Sequence, residues 1–344
     1  MTKPIRIVGG GLSGLTLGIG LRQRGIPTTI HETGSYPRHR VCGEFISGRG
    51  LASLDRLGLL PGIVDQGARS LTTSSFFSPG NPPIRNPLPQ TALGISRFAL
   101  DDWLGQEFQR LGGDLRTGER WHEDFSDGIV RASGRRAEAK SDGWRWFGLK
   151  VHVTDLPLTA DLEMHLLPSG YVGLVRLADG QVNVCGLFRS ATAIPDLARR
   201  WREWLFGSPG SELQSRLAQA RVQEESFCTV AGLSLSPRLA RDHPEMCVGD
   251  ALTMIPPLTG NGMSMAFESA ELALAPLERY CHGDWSWPQA QREIADASDA
   301  TFRRRLRWAR WVQSAQFYAP ARAILLWLVA QSQPVWRGLF AQTR

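Results

Sequence analysis

The amino-acid sequence predicts an α/β protein in which a domain with a parallel sheet is interrupted by a domain with an antiparallel sheet, and C-terminal helices follow. Two observations support this fold class. A strand, a glycine-rich turn and a helix open the chain, and a similar apolar strand returns near residue 246 after a run of strands and turns. The predicted boundaries are 1–75, 95–140 and 240–284 for the first domain, 76–94 and 141–239 for the second, and 285–344 for the helices.

The first element is a short buried strand at residues 5–8, because parallel sheets favour such an apolar run. Glycines with GxGxxG spacing follow, and a helix extends from Leu12 to about Gly25. Such glycines permit a tight turn, close approach of a pyrophosphate and packing of the helix on the strand, and the helix N-terminus faces the phosphates. The residues expected to bind there are Gly9, Gly11, Leu12, Ser13 and Gly14.

A carboxylate ends the second predicted strand, residues 28–31. Glu32 stands about 20 residues after the glycines, where an acid binds an adenosine ribose hydroxyl. A glycine-rich turn with an unrelated acid is the alternative. The strand, the helix and the acid nevertheless occupy the places that a Rossmann-like dinucleotide domain requires.

A second stretch far along the chain fits the same ligand. Apolar residues 246–248 lead into Gly249-Asp250, and Pro256-Pro257 and residues 259–262 follow. Together the two stretches indicate FAD held along its whole length. We expect the FAD to be non-covalent, because no histidine or cysteine stands in a recognised attachment motif.

The middle of the chain changes to the pattern of antiparallel hairpins. A helix begins near Ser96, a plausible cap, and an apolar face follows it. Short turns then separate apolar segments, and a helix at about 194–206 precedes the return to the first domain. The strands predicted for the second sheet are 147–153, 162–167, 170–175 and 181–188.

Composition narrows the class of protein. Of 344 residues, 42% are hydrophobic and 21% charged, as in an ordinary soluble globular protein, and the N-terminus enters the first strand without a secretory signal. Five scattered cysteines give no metal-ligand spacing, so we expect a reduced, cytoplasmic protein without metal. The net charge of +6 comes from the tail, since residues 301–344 contain eight arginines and no acid. This distribution argues against nucleic acid as a partner.

In the order of these motifs, from residue 1 to about 280, the chain resembles the flavoprotein superfamily of aromatic hydroxylases (FAD-dependent monooxygenases) and geranylgeranyl reductases. The resemblance implies that Asp250 binds the ribityl chain and that the loop before the helix at residue 263 faces the pyrimidine end of the flavin. It also implies an arginine beside the FAD phosphates and a cysteine-glycine pair near the flavin. The residues concerned are Arg40, Cys42, Gly43, Arg97, Gly249, Asp250, Pro257, Gly260, Asn261, Gly262 and Met263.

One departure from the family concerns the electron donor. The family usually carries Asp-Gly near residue 133, where this chain has Ala132-Ser133-Gly134-Arg135-Arg136. The serine puts direct reduction by NAD(P)H in doubt, so a flavin reductase or a ferredoxin is the alternative donor. The two arginines fit a phosphate partner or an ordinary solvated turn.

Four residues are candidates for catalysis, each with a structural alternative. Cys42 is either a reactive thiol or a small residue packed near the flavin, and Glu44 is either a proton donor or a carboxylate of the cofactor loop. His152 and His165 lie on predicted strands where a substrate would contact the sheet. A histidine at such a position is more often structural.

The tail combines basic and aromatic residues at helical spacing, 302–311, with an apolar run at 323–330 that is too short to span a bilayer. These helices either close over the substrate channel or lie on an anionic membrane surface. Both alternatives suit a hydrophobic small-molecule substrate.

The resemblance implies an FAD-dependent oxidoreductase. We rank first a monooxygenase that hydroxylates an aromatic or polyketide-like ring through a flavin hydroperoxide. The alternative is a reductase of a carbon–carbon double bond, which the Cys42-Gly43 pair favours. A third hypothesis is a flavin-binding protein without catalysis.

Overall fold

The computed structural model describes residues 2–135, 137–138, 140–141 and 143–344. Two sheets and a set of helices organise these residues. The strands are β1 (Ile5–Val8), β2 (Thr28–Glu32), β3 (Phe45–Ile46), β4 (Arg69–Phe77), β5 (Ile84–Gly94), β6 (Asp114–Thr117), β7 (Ile129–Arg131), β8 (Arg145–Thr154), β9 (Leu162–Leu167), β10 (Gly170–Arg176), β11 (Val182–Ser190) and β12 (Arg221–Ala231). The helices are α1 (Leu12–Gln23), α2 (Arg49–Arg56), α3 (Leu60–Asp65), α4 (Arg97–Arg110), α5 (Trp201–Leu205), α6 (Glu212–Leu217), α7 (Gly262–His282), α8 (Trp287–Gln316), α9 (Ala319–Gln331) and α10 (Gln333–Gln342).

The first sheet is parallel and has the strand order β6-β2-β1-β7. An isolated parallel β-bridge between Arg131 and Cys247 places residues 246–248 beside β7. The Arg131 amide donates to the Met246 carbonyl at 2.8 Å. Helices α1 and α7 pack against each other beside this sheet. The interrupted α/β fold class predicted from the sequence is therefore confirmed.

The second sheet has the order β12-β8-β11-β10-β9-β4-β5-β3 and is antiparallel except where β4 runs parallel to β9. Strand β4 begins at residue 69, and its chain neighbour β5 pairs with it along most of its length. The predicted domain boundary at residue 75 thus falls inside β4. The domain boundaries themselves stay a prediction.

The helix predicted at about 194–206 is shorter in the structure, where α5 covers only Trp201–Leu205. Two local features explain the difference. Pro195 disfavours helical backbone at the residue before it, and Asp196 has a positive φ of 53°, which no α-helix contains. By contrast, Ser96 caps α4 as expected, because its hydroxyl accepts from the Phe98 amide at 3.1 Å.

The C-terminal helices pack on the second sheet. Trp336 and Phe340 are buried against β5, and the indole of Trp336 donates to the Pro87 carbonyl at 2.8 Å. The Asn86 side chain donates to the Val329 carbonyl at 3.3 Å. None of the described helices is both long and apolar enough to cross a membrane.

Candidate flavin and substrate site

The glycine turn between β1 and α1 has little room for side chains. Gly9 has a φ of +112°, and a Cβ atom there would collide with the Ala132 carbonyl oxygen. A Cβ atom on Gly14 would collide with the Gly9 carbonyl oxygen, so this glycine lets the helix pack on the strand. Gly11 differs from both, because nothing lies within 4 Å of its Cβ position, which borders a cavity.

Glu32 is held ionised at the end of β2. Its carboxylate accepts from the amides of Gly10 and Gly34, each at 2.8 Å, and lies 2.9 Å from the guanidinium of Arg38. Burial alone would raise the pKa of Glu32, but these hydrogen bonds and Arg38 outweigh it and lower the pKa. The carboxylate also borders the cavity, so it can accept a hydroxyl hydrogen bond there.

The second motif packs directly on the first. Gly249 has a φ of +64°, and a Cβ atom there would collide with the Ser13 side chain at the start of α1. The Gly249 amide donates to the Ser269 hydroxyl at 2.8 Å. This packing places Asp250 in the cavity wall, and the residue is exposed to the cavity. The surrounding protein raises the pKa of Asp250 to about 6 by desolvation, and Arg97 and Arg135 oppose this shift.

The loop at residues 256–262 leads into α7. Gly260 adopts the left-handed conformation with a φ of +64°, and α7 begins two residues later with its N-terminus at the cavity. The positive end of the helix dipole therefore faces the cavity and favours negative charge. The Asn261 side chain donates to the Thr343 carbonyl at 2.6 Å, which ties this loop to the end of α10.

Cations line the same wall. Arg97 is partly buried and forms a bidentate ion pair with Asp101, with N–O distances of 2.6 and 2.7 Å. The Arg40 Nε atom lies 3.4 Å from Asp101. Both arginines border the cavity, where they can bind phosphate oxygens.

The cavity fits FAD. It has a volume of about 910 Å³ and extends between the two motifs and on beneath the C-terminal helices. Gly11, Gly43, Gly134 and Gly262 all border it, and at each of them a Cβ atom would enter open space. Four backbone segments therefore leave room for a ligand to approach closely. The predicted residues that border this cavity are Gly9, Gly11, Leu12, Ser13, Glu32, Arg40, Cys42, Gly43, Glu44, Arg97, Asp250, Pro257, Gly260, Gly262 and Met263.

Cys42 lies beside the cavity in surroundings that favour the neutral thiol. Burial raises its pKa, although the nearby Arg97 guanidinium opposes the shift. Its sulfur accepts from the Glu44 amide at 3.4 Å, and its carbonyl accepts from the Asn183 side chain at 2.9 Å. These contacts support the interpretation of Cys42 as a small packed residue.

Glu44 is the centre of a fully buried charged cluster. Its carboxylate lies 2.7 Å from His152 Nε2 and 3.5 Å from Lys150 Nζ, and it accepts from the Arg97 amide at 2.9 Å. Burial opposes ionisation of Glu44, but the contact with His152 and the charge of Lys150 keep its pKa low. Its backbone has a positive φ of 54°, which a non-glycine residue rarely adopts.

The sequence analysis overlooked two members of this cluster, Lys150 and His39. The ammonium of Lys150 lies 3.1 Å from His39 Nδ1, and His39 borders the cavity. Burial and the neighbouring Lys150 lower the pKa of His39 to about 4. One signal could have revealed Lys150, because a lysine and His152 are the polar residues of the otherwise apolar strand 147–153.

His165 is separated from this cluster. Its Nε2 atom lies 3.2 Å from Glu163, whose carboxylate also pairs with Arg216 at 2.9 Å, and its ring stacks on Phe77 with centroids 4.2 Å apart. It does not border the cavity, and neither does His152. The contacts of His165 are those of a structural ion network.

Ser133 borders the cavity between Ala132 and Gly134. Its hydroxyl accepts from Arg131 Nε at 3.2 Å, and Arg131 pairs with Glu245 at 2.6 Å. Arg135 also borders the cavity, whereas Arg136 lies outside the described residues.

The far end of the cavity is mostly apolar, although Gln316, Arg322, Thr343 and Arg344 of the C-terminal helices also border the cavity. The sequence analysis did not anticipate this end residue by residue. It lies between the second sheet and the inner side of the C-terminal helices. Its wall includes Phe76, Leu88, Leu162, Met164, Leu166, Tyr171, Val175, Leu187, Leu325, Leu326, Val329, Trp336, Leu339 and Phe340.

Comparison with known proteins agrees with this geometry. Residues 2–142 match the family described as an FAD binding domain. Menaquinone reductase from Mycobacterium tuberculosis is 25% identical over 312 residues, covering 79% of this chain and 76% of the relative.

Solved structures share the fold at low sequence identity. A geranylgeranyl bacteriochlorophyll reductase-like protein from Thermoplasma acidophilum superposes with a TM-score of 0.76 at 16% identity, covering 99% of this chain and 96% of that one. The p-nitrophenol 4-monooxygenase of Pseudomonas putida gives a TM-score of 0.76 at 16% identity, covering 99% and 97%.

The fold and the matched domain define a flavoprotein whose cofactor is FAD. More particularly, the chain shares its fold with flavin-dependent monooxygenases, halogenases and a reductase-like protein, to which it is similar.

Proposed function

We propose that the protein is an FAD-dependent reductase that saturates a carbon–carbon double bond in a lipophilic, isoprenoid-like substrate. The observation that carries this proposal is the apolar end of the cavity, where the second sheet and helices α9 and α10 enclose a wall of aliphatic and aromatic side chains next to the flavin loop. Such a wall buries a long hydrocarbon chain and offers few partners to a small polar phenol.

The curated relatives support the same substrate class. The matched mycobacterial proteins are named menaquinone reductases, and menaquinone carries an isoprenoid chain on its quinone ring. The reductase-like neighbour from Thermoplasma acidophilum points in the same direction.

When bound and reduced by an electron donor, the flavin would supply a hydride for one carbon of the double bond, and a proton would complete the other carbon. The residues of the chain hold the reactants. The α7 N-terminus stabilises negative charge at the loop of residues 256–262. Leu325 and Val329 orient the hydrocarbon and exclude water from it.

An anaerobic reaction tests the proposal. The holoprotein is reduced with dithionite and mixed with a menaquinone that carries a short isoprenoid chain. After the quinone ring has been reoxidised in air, the expected product retains two additional hydrogen atoms in its isoprenoid chain, located by fragmentation in mass spectrometry. A product whose isoprenoid chain lacks these two hydrogen atoms would overturn the proposal.

A matched pair of variants locates the substrate. Leu325→Trp narrows the apolar end from inside, whereas Ala323→Trp adds the same side chain on the exposed side of α9. We expect only Leu325→Trp to raise KM for the long-chain substrate. Flavin reduction by dithionite is the folding control.

Hydroxylation is the second candidate, supported by the shared fold with the p-nitrophenol 4-monooxygenase. In that case the reduced protein, supplied with isotope-labelled dioxygen, would transfer one labelled oxygen atom to an aromatic substrate. It would leave the double bond of the substrate in the anaerobic test unchanged. If neither reaction occurs although FAD binds, the flavin-binding protein without catalysis becomes the better description.

The electron donor is a separate proposal that rests on Ser133. Because a serine stands where the family resemblance places an aspartate, we expect NADPH and NADH to reduce the flavin slowly, and a flavin reductase or ferredoxin to do so readily. Stopped-flow absorbance measures this. Reduction by NADPH at about 10 per second, an ordinary turnover rate, would show that the serine is tolerated.

A further inference from the structure

The C-terminal helices expose an unusual group of large apolar side chains on their outer side. Trp311, Tyr318, Ile324 and Trp327 are 51%, 65%, 61% and 60% exposed. We call these four residues the outer face. Among the described residues, the other large hydrophobic side chains with comparable exposure are Val64 and Phe98 alone. Such a concentration of exposed apolar surface marks an interaction site.

Positive charge adjoins the outer face. Arg304, Arg307 and Trp311 have the spacing i, i+3 and i+7, so they form one stripe along α8, and both arginines are exposed. Arg303 is exposed beside them. The amino-acid sequence contains no Asp or Glu from residue 301 to residue 344, so this segment carries no acidic side chain that would neutralise the stripe.

The opposite side of α9 forms part of the cavity wall. Leu325, Leu326 and Val329 line the cavity, whereas Ile324 and Trp327 face outward. A single helix, about 10 Å across with its side chains, therefore separates the apolar end of the cavity from the exposed apolar surface.

We propose that the outer face docks on the surface of an anionic lipid bilayer, with the tryptophans in the headgroup region and the arginines against the lipid phosphates. Basic residues beside exposed aromatic residues are the pattern of a helix that lies in the membrane interface. Docking on this side brings the apolar end of the cavity within one helix of the lipid, which suits exchange of a lipophilic ligand. The proposal stands whichever reaction the flavin performs.

Vesicle binding tests the proposal with the full-length holoprotein. Co-sedimentation is measured with phosphatidylglycerol/phosphatidylcholine vesicles and with pure phosphatidylcholine vesicles, at low and high salt. We expect binding to the anionic vesicles only, with release at high salt. The intrinsic tryptophan fluorescence is expected to shift to shorter wavelength on binding.

Three sets of variants separate charge from apolar contact. Arg303→Gln/Arg304→Gln/Arg307→Gln should weaken vesicle binding on the order of 100-fold, since each cation near such a surface contributes roughly fivefold. Ile324→Ser/Trp327→Ser should reduce the fluorescence shift, since Trp311 remains, and weaken binding. The control variant Arg69→Gln/Arg199→Gln/Arg221→Gln changes three exposed arginines outside the tail and should bind as the unmodified protein does.

Two results would overturn the proposal. One is equal binding by all three variants and the unmodified protein, or no binding to anionic vesicles at all. The other is a dimer without lipid, seen by sedimentation velocity, that Ile324→Ser/Trp327→Ser converts to a monomer. That result would assign the outer face to a second copy of the chain.

Discussion

The two ends of the cavity are built in different ways. At the nucleotide end, backbone groups and a few charges form the wall, and glycines such as Gly11 leave open space for a ligand. At the apolar end, side chains from the second sheet and from α9 and α10 fill the wall. In the proposed function, the first end binds through peptide geometry, and the second through the area and shape of hydrocarbon.

This difference explains why one end is specific and the other adaptable. Backbone amides and glycines cannot be exchanged without changing the turn itself, so the nucleotide end is restricted to one kind of ligand. Apolar side chains of similar volume replace one another at small cost, so the apolar end can fit different substrates on one fold. Four predictions sharpen this comparison.

The largest effect is expected from Gly11→Val. A Cβ atom at this position has no other protein atom within 4 Å, so the apoprotein should fold normally, but the side chain would occupy the space that a pyrophosphate needs. We expect loss of FAD binding, measured by quenching of FAD fluorescence, with unchanged thermal unfolding of the apoprotein. Gly338→Val, also without close neighbours but outside the cavity, is the control. An unchanged FAD affinity in Gly11→Val would refute the assignment of the turn.

The next effect concerns the free energy of unfolding and the charged cluster around Glu44. Glu44→Gln leaves the buried ammonium of Lys150 without its carboxylate, and such a change costs about 3–5 kcal/mol. We expect urea unfolding of Glu44→Gln to show this loss in the free energy of unfolding. The double variant Glu44→Gln/Lys150→Met should recover much of it. The control Glu123→Gln removes an exposed ion pair with Arg6 and should cost about 1 kcal/mol or less. Equal losses of unfolding free energy in Glu44→Gln and Glu123→Gln would contradict a stabilising role of the buried charged cluster.

A smaller effect is expected from Asp250→Asn, which should weaken FAD binding by about 1.5–3 kcal/mol at pH 8 through loss of a charge-assisted hydrogen bond. The pKa of Asp250, raised to about 6, adds a pH dependence. Below that pH the unliganded protein protonates Asp250, and the carboxylate that accepts the ligand hydroxyl is lost. FAD affinity of the unmodified protein should therefore fall as pH decreases through 6. The same fall in Asp250→Asn would exclude Asp250 as its origin.

The smallest effect concerns His39, whose pKa is lowered to about 4. The groups that act on it are Glu44, Lys150, His152 and Glu225. An ordinary histidine has a pKa of about 6.5. Between about pH 6.5 and about pH 4, the His39 imidazole is therefore protonated in the unfolded chain but neutral in the folded chain. Stability is therefore lost as pH falls through this window. His39→Gln should flatten the dependence of Tm on pH there, whereas the exposed His122→Gln should not.

Much of the fold could be predicted because its signals are local. The GxGxxG turn, the following helix and the strand ending in Glu32 depend on neighbours within about 25 residues, and the spacing of glycines in sequence reflects the spacing of amides in space. FAD as cofactor followed from the same local pattern and is confirmed by the matched domain. The predicted helix at 194–206 was wrong in extent, because Pro195 and Asp196 interrupt it locally.

The tertiary structure alone decided what Glu44, Lys150, His152 and His39 do together. They come from two segments separated by about a hundred residues, and each resembles an ordinary polar residue within its own segment. The apolar end of the cavity was likewise beyond the sequence, since side chains on β4, β9 and α9 meet only after the sheets and helices pack. Local backbone preferences are encoded among neighbouring residues, whereas contacts across the core depend on how whole elements dock.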